Sequence, residues 1–129
     1  MRIEHIAVWV DDLEVMREFY LTYFDAVSND KYVNAKKGYS SYFITFSGGG
    51  ARIELMHRTD ISEVPAKRGL TKGLAHLAIS LGSKDGVDML TERLRTDGYV
   101  IAGEPRTSGD GYYESVVLDP EGNYIELVG

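Results

Sequence analysis

Cysteine is absent from the 129-residue chain, which excludes disulfides, thiolate zinc sites, iron–sulfur clusters and cysteine nucleophiles together. Any metal must therefore be held by nitrogen and oxygen. Long apolar runs are also missing: the longest, residues 6–10, is far short of the ~20 residues that cross a bilayer. The strand-like start Arg2-Ile3-Glu4-His5-Ile6 shows no secretion signal, so a cytoplasmic location without membrane attachment is expected. Positive charge is scarce, with 14 basic against 20 acidic residues, a net charge of −6 and no lysine/arginine cluster. A nucleic-acid partner, which needs its phosphates neutralised, is thereby disfavoured. What remains, 43% hydrophobic and 26% charged residues, suits one globular domain large enough to bury a core.

Residues 2–10 alternate as a strand, with Ile6, Val8 and Val10 on one face and Ile3, His5, Ala7 and Trp9 on the other. Asp11, with Glu14 three residues on, predicts the start of a helix on which Leu13, Met16, Phe19, Tyr20, Tyr23 and Phe24 recur. Residues 40–47 and 51–57 read as two strands joined by Gly48-Gly49-Gly50, and a weaker strand falls within 26–33. That glycine run precedes no helix and no phosphate-loop lysine, so it reads as a turn.

The polar stretch 58–73, with Pro65 and Gly69, is expected to connect two halves. Beyond it the pattern restarts. A strand at 74–81 leads to a helix capped by Ser83 or Asp85, carrying Val87, Leu90 and Leu94 and stopped by Gly98. A short strand at 99–102 follows, then a hairpin of 112–118 and 123–128 turning through Asp119-Pro120-Glu121-Gly122. The halves match each other: Ile3-Glu4-His5-Ile6-Ala7-Val8 with Leu74-Ala75-His76-Leu77-Ala78-Ile79, and Arg52-Ile53-Glu54-Leu55 with Tyr124-Ile125-Glu126-Leu127. The offsets are 71 residues from His5 to His76 and 72 from Glu54 to Glu126, which predicts a duplicated strand–helix–multistrand module whose copies pair.

Strand alternation sets His5, Glu54, His76 and Glu126 on the sheet faces turned away from the helices. Taken singly, each is an ordinary strand residue. Their recurrence at equivalent places of a repeat points instead to a joint role. Two imidazoles and two carboxylates converging in a cup make a ligand set for nickel, zinc, cobalt, manganese or iron(II). Ala7 and Ala78 beside the histidines leave room for a ligand. His57 lies on the opposite strand face from Glu54, has no counterpart in the second half and reads as a strand-end residue. Trp9, Tyr42, Tyr112 and Tyr113 are candidate pocket walls, and Arg58 and Arg106 candidate holders of an anionic substrate.

Carried by His5-Ile6-Ala7-Val8, Ile53-Glu54-Leu55, His76-Leu77-Ala78-Ile79 and the stretch 118–127, the chain resembles the vicinal-oxygen-chelate superfamily, also called the glyoxalase/bleomycin-resistance/dioxygenase family. The resemblance covers nearly the whole chain. It implies an α+β fold in one domain, 1–129: two paired βαβββ modules, about 1–57 and 74–129 around a connector of about 58–73, forming a cupped mixed sheet with the helices outside. It also implies a homodimer acting on a small molecule.

Within the family, the set His5, Glu54, His76 and Glu126 is most similar to the metal ligands of glyoxalase I. Dioxygenases resemble a two-histidine, one-carboxylate site, fosfomycin-modifying enzymes also lack the first-half glutamate, and methylmalonyl-CoA epimerases generally have glutamine where Glu54 stands. The implied activity is that of a metal-dependent lyase or isomerase making an enolate or enediolate from a small oxygen-chelating substrate. Glu126 is its acid–base and Glu54 the symmetrical alternative. The chain departs from bacterial glyoxalase I where Trp9 and Arg58 replace the arginine and asparagine used for glutathione, which argues against glutathione chemistry. The competing readings are a metal-free drug-binding protein of the bleomycin-resistance kind and a ring-cleaving dioxygenase.

Overall fold

The computed structural model describes residues 3–61, 68–70, 72–109 and 111–129. Arg2 of the first expected strand and residues 62–67 and 71 of the expected connector, Pro65 included, lie outside the described residues. The chain divides into two units, Met1–Val64 and Pro65–Gly129. Among the described residues each is a mixed sheet carrying one α-helix, and the α+β fold expected from the sequence is the fold found.

The first unit runs β1 (His5–Trp9), α1 (Leu13–Tyr23), β2 (Ala26–Ser28), β3 (Tyr32–Asn34), β4 (Tyr39–Phe46) and β5 (Arg52–Arg58). β1 pairs parallel with β5, β5 antiparallel with β4, and both β2 and β3 pair antiparallel with β4. The single weak strand expected at 26–33 is thus two short pieces. Asn29 bridges the break: its backbone N–H donates to the Phe43 carbonyl and its side-chain oxygen accepts from the Phe43 N–H at 2.7 Å.

The helix cap is Asp12 rather than Asp11, because a cap must sit directly before the first helical residue to reach the free N–H groups of the opening turn. Its Oδ1 accepts from Glu14 and Val15, each at 3.0 Å. Glu14 therefore closes no capping box and turns outward to Lys31 and Tyr42. Leu13, Met16, Phe19, Tyr20 and Phe24 are buried, as are Tyr42, Ile44, Ile53 and Leu55 of β4 and β5. They form the core on the helix side of this sheet.

The second unit runs β6 (Leu77–Ser80), α2 (Lys84–Thr96), β7 (Ile101–Thr107), β8 (Tyr113–Leu118) and β9 (Tyr124–Val128). Its strand order is β6-β9-β8-β7, with β6 parallel to β9 and the rest antiparallel. Ser83 supplies the cap of α2, accepting from Gly86 at 3.1 Å. Val87, Thr91 and Leu94 are buried along with Val117, Ile125 and Leu127, and Thr91 Oγ1 and Ser115 Oγ share a buried hydrogen bond at 2.7 Å.

Several boundaries differ from expectation, and β1 spans His5–Trp9 where 2–10 is expected. β5 continues to Arg58, paired with Tyr39, so the connector cannot begin there. β6 begins at Leu77 rather than 74, leaving His76 just before the strand. β7 begins two residues later than the expected 99–102 and runs on to Thr107, past Gly103 and Pro105, which read as strand breakers in the sequence and lie at the register shifts of its pairing with β8. A Cβ at Gly103 would lie 3.3 Å from the Val116 side chain, which is why glycine suits that crowded bend. No helix of the described residues is long and apolar enough to cross a membrane.

The closing turn depends on Asp119, which is only 4% exposed. One carboxylate oxygen accepts from the Glu121 and Asn123 N–H groups at 3.0 and 2.9 Å, and the other from the Asn123 amide at 2.7 Å. Burial pushes its carboxyl above the ordinary value, against the lowering effect of those bonds. The folded chain therefore keeps this proton to higher pH than the unfolded chain does. Its stabilising share is complete below about pH 4 and declines as pH rises through the raised value. Asp119→Ala is expected to cost about 2–4 kcal/mol in urea unfolding, with the gap to the unsubstituted chain narrower at pH 7 than at pH 4.

Candidate functional site

The helix-free face of the first sheet collects most of the expected residues of that half. In the parallel pairing Ala7 lies opposite Glu54, and in the antiparallel one Phe43 lies opposite Glu54 and Tyr39 opposite Arg58. His5 Nε2 comes within 3.7 Å of Glu54 Oε2. Glu4 takes the other ring nitrogen, Nδ1, while accepting from Arg52. The bond from His5, with help from Arg52, holds the Glu4 carboxyl below its ordinary value, so it is ionised at neutral pH. An ionised carboxylate can only accept, so Nδ1 must carry the proton. In the neutral ring, the lone pair of Nε2 is then on the Glu54 side.

Glu54 is further held by Tyr39, whose hydroxyl donates to Oε1 at 2.7 Å. Burial, the strongest influence, pushes the Tyr39 phenol up, so it stays protonated and donating through the neutral range. Phe43 closes the other flank, edge-on to the His5 ring at 5.3 Å and beneath the Arg52 guanidinium at 4.1 Å. The arrangement is a fixed carboxylate next to a fixed imidazole.

Among the described residues the second unit repeats the core of this pattern without its supports. Ala78 lies opposite Glu126 as Ala7 lies opposite Glu54, and His76 Nε2 is 3.4 Å from Glu126 Oε2. Among the described residues His76 is the sole ionic partner of Glu126, and no hydroxyl binds it as Tyr39 binds Glu54. The side chain of Glu126 is 20% exposed and that of His76 46%. Among the described residues no group of three or more histidines and carboxylates lies close enough to hold an ion.

The expected pocket residues separate. Trp9 and Arg58 come together in the first unit, lining a cavity of about 290 Å³ with Tyr32, Asn34, Lys37 and Tyr39. Tyr42 faces the helix, its hydroxyl donating to Glu14 of α1. Tyr113 also points to the helix side of its own sheet and donates to Asp88 of α2 at 2.7 Å. Arg106 pairs with Glu114 across β7 and β8 at 3.0 Å, and Tyr112 is exposed in the loop before β8. His57 is tied down by a 3.0 Å bond between Nδ1 and the Val10 carbonyl.

Sequence reasoning passed over Tyr32, Lys37, Tyr39 and Glu4. Tyr39 was open to inference, since a hairpin centred on Gly48-Gly49 sets it on the Glu54 face. Tyr32 and Lys37 depend on the short β3 and the 3₁₀ turn at Ala35–Lys37, which have no clear period, and Glu4 gains its role only through the distant Arg52.

The family model of the Glyoxalase/Bleomycin resistance protein/Dioxygenase superfamily matches residues 2–127. The uncharacterized protein YqjT of Bacillus subtilis (strain 168) is 28% identical over 129 residues, spanning 98% of this chain and 97% of its own. A glyoxylase/bleomycin resistance protein/dioxygenase domain from Frankia sp. EAN1pec superposes with a TM-score of 0.83 at 20% identity, over 99% of this chain and 90% of that one. A glyoxalase I mutant from Zea mays superposes at 0.78 with 24% identity, over 98% of this chain and 44% of that one. At such identities the structural likeness speaks for the fold alone. The match through residues 2–127 assigns the family: the chain belongs to the Glyoxalase/Bleomycin resistance protein/Dioxygenase superfamily.

Proposed function

We propose that the chain is a metal-dependent lyase or isomerase of the glyoxalase type, working as a homodimer on a small substrate with neighbouring oxygens. The observation that carries this reading is the repeated pair, His5 with Glu54 and His76 with Glu126, each histidine two residues before the alanine that faces its glutamate. The Nε2 lone pair of His5 beside a carboxylate oxygen at 3.7 Å is unfavourable unless a proton or a cation lies between them. Glu4 on the far ring nitrogen is the outer support expected of a metal-binding histidine. Imidazole nitrogen with carboxylate oxygen suits nickel, zinc, cobalt, manganese or iron(II).

His5, Glu54, His76 and Glu126 are the proposed ligands. When bound, the ion supplies Lewis-acid stabilisation of negative charge on a substrate oxygen. Glu126 acts as the acid–base: it takes the proton from a carbon next to a carbonyl and returns it to the neighbouring carbon. A ligand that also carries a proton needs freedom to leave the ion, and among the described residues Glu126 has none of the hydroxyl support that fixes Glu54.

Isothermal titration of nickel and of zinc into the chelator-treated chain tests the reading. Saturable binding at about one ion per chain is expected, on protein whose dimeric mass is checked by sedimentation. Folded protein that takes up neither metal overturns it.

A further inference from the structure

The cavity of the first unit has a chemistry at odds with the rest of the molecule. The chain carries a net charge of −6, yet Lys37 and Arg58 both line this space of about 290 Å³. Asp60 pairs with Arg58, whereas Lys37 has no ionic partner among the described residues. The walls are aromatic. Trp9 meets Tyr39 edge-on at 6.3 Å and Tyr32 meets Tyr39 at 6.1 Å, with the Arg58 guanidinium 5.9 Å from the Trp9 ring. The volume is at the lower end for ligand pockets and fits one ring with a short arm.

A ring of three aromatic side chains alone would suit an organic cation. The two basic side chains beside it reverse that preference. Lys37 is held at the rim by its turn, its backbone N–H donating to the Asn34 side chain at 3.2 Å, while Gly38 in the left-handed region redirects the chain into β4. The Tyr39 hydroxyl leads from the cavity directly to Glu54.

We propose that this cavity binds an aromatic carboxylate, the ring between Trp9, Tyr32 and Tyr39 and the carboxylate on Lys37, as the arm of the substrate that does not react. Assigning it to the substrate rests on the proposed function; binding itself requires neither metal nor turnover. Trp9 is the only tryptophan of the chain, so its fluorescence reports on the cavity.

The test titrates the chelator-treated chain with phenylacetate, cyclohexylacetate and benzyltrimethylammonium while following Trp9 emission. Phenylacetate is expected to give a saturable change with a Kd at least tenfold below that of cyclohexylacetate, and benzyltrimethylammonium none. Lys37→Met should raise the phenylacetate Kd about tenfold, and Tyr32→Leu should remove the preference for the aromatic acid. Both side chains belong to a surface turn and a short edge strand, and circular dichroism checks each variant's fold.

Equal binding of the two acids, tighter binding of the cation, an unchanged Kd in Lys37→Met, or no saturable change overturns the proposal. The outcomes separate from those of the metal titration. Phenylacetate binding without metal uptake keeps the cavity assignment and removes the enzyme reading, and metal uptake without phenylacetate binding does the reverse.

Discussion

Glu126→Gln is expected to lower metal-dependent proton exchange by about 10²–10⁴-fold, the usual contribution of a positioned general base, while the fold and most of the metal affinity survive. The assay follows deuterium incorporation next to the carbonyl of small 2-oxo and α-hydroxy carbonyl compounds by proton NMR. Glutamine matches glutamate in shape and still offers a carbonyl oxygen, but it cannot take a proton. Glu126 is in β9 between the buried Ile125 and Leu127, whose side chains turn to the core while its own turns away, so the substitution leaves the packing undisturbed. Glu54→Gln should cost less activity, because Tyr39 donates to Glu54 and a glutamine oxygen accepts that bond equally well. Unchanged exchange in Glu126→Gln removes Glu126 from the chemistry, and a larger loss in Glu54→Gln transfers the base to the first unit.

The second large effect concerns the histidines. His76→Ala is expected to weaken nickel or zinc binding by at least about 100-fold, since it deletes one of two nitrogen ligands from a site whose selectivity for such ions depends on imidazole. His76 precedes β6 and its side chain is 46% exposed, so truncating it opens no core cavity. His57→Ala is the informative comparison. Its ring is bound to the Val10 carbonyl, at the point where the chain leaves β1 for α1. That variant should lose about 1 kcal/mol of stability and no metal affinity. Equal metal affinity in His76→Ala and the unsubstituted chain counts against the ligand set.

The repeat was legible because alternation and spacing are properties of the chain itself. Ala7 and Ala78 directly oppose Glu54 and Glu126, as two copies of one strand arrangement require. What local pattern could not reveal came from neighbours distant in sequence. Tyr42 and Tyr113 were candidate pocket walls by residue type, yet each donates to a helix carboxylate, Glu14 and Asp88, on the opposite sheet face. Lys37 gains its place only through a 3₁₀ turn too short to have a period. The helix cap moved by one residue because Asp11 and Asp12 are chemically alike and only the backbone distinguishes them.

In both units the first strand pairs with the last, β1 with β5 and β6 with β9. Parallel pairing of strands so distant along the chain closes a long loop, and its entropy must be met before the contacts form. Each histidine–glutamate pair therefore spans the step that completes its unit. An ion gripping such a pair would act as a clasp on that closure, favouring the folded chain in proportion to its occupancy. Withdrawing the ion is then expected to loosen the first strand of each unit, which amide hydrogen exchange in β1 and β6 would report.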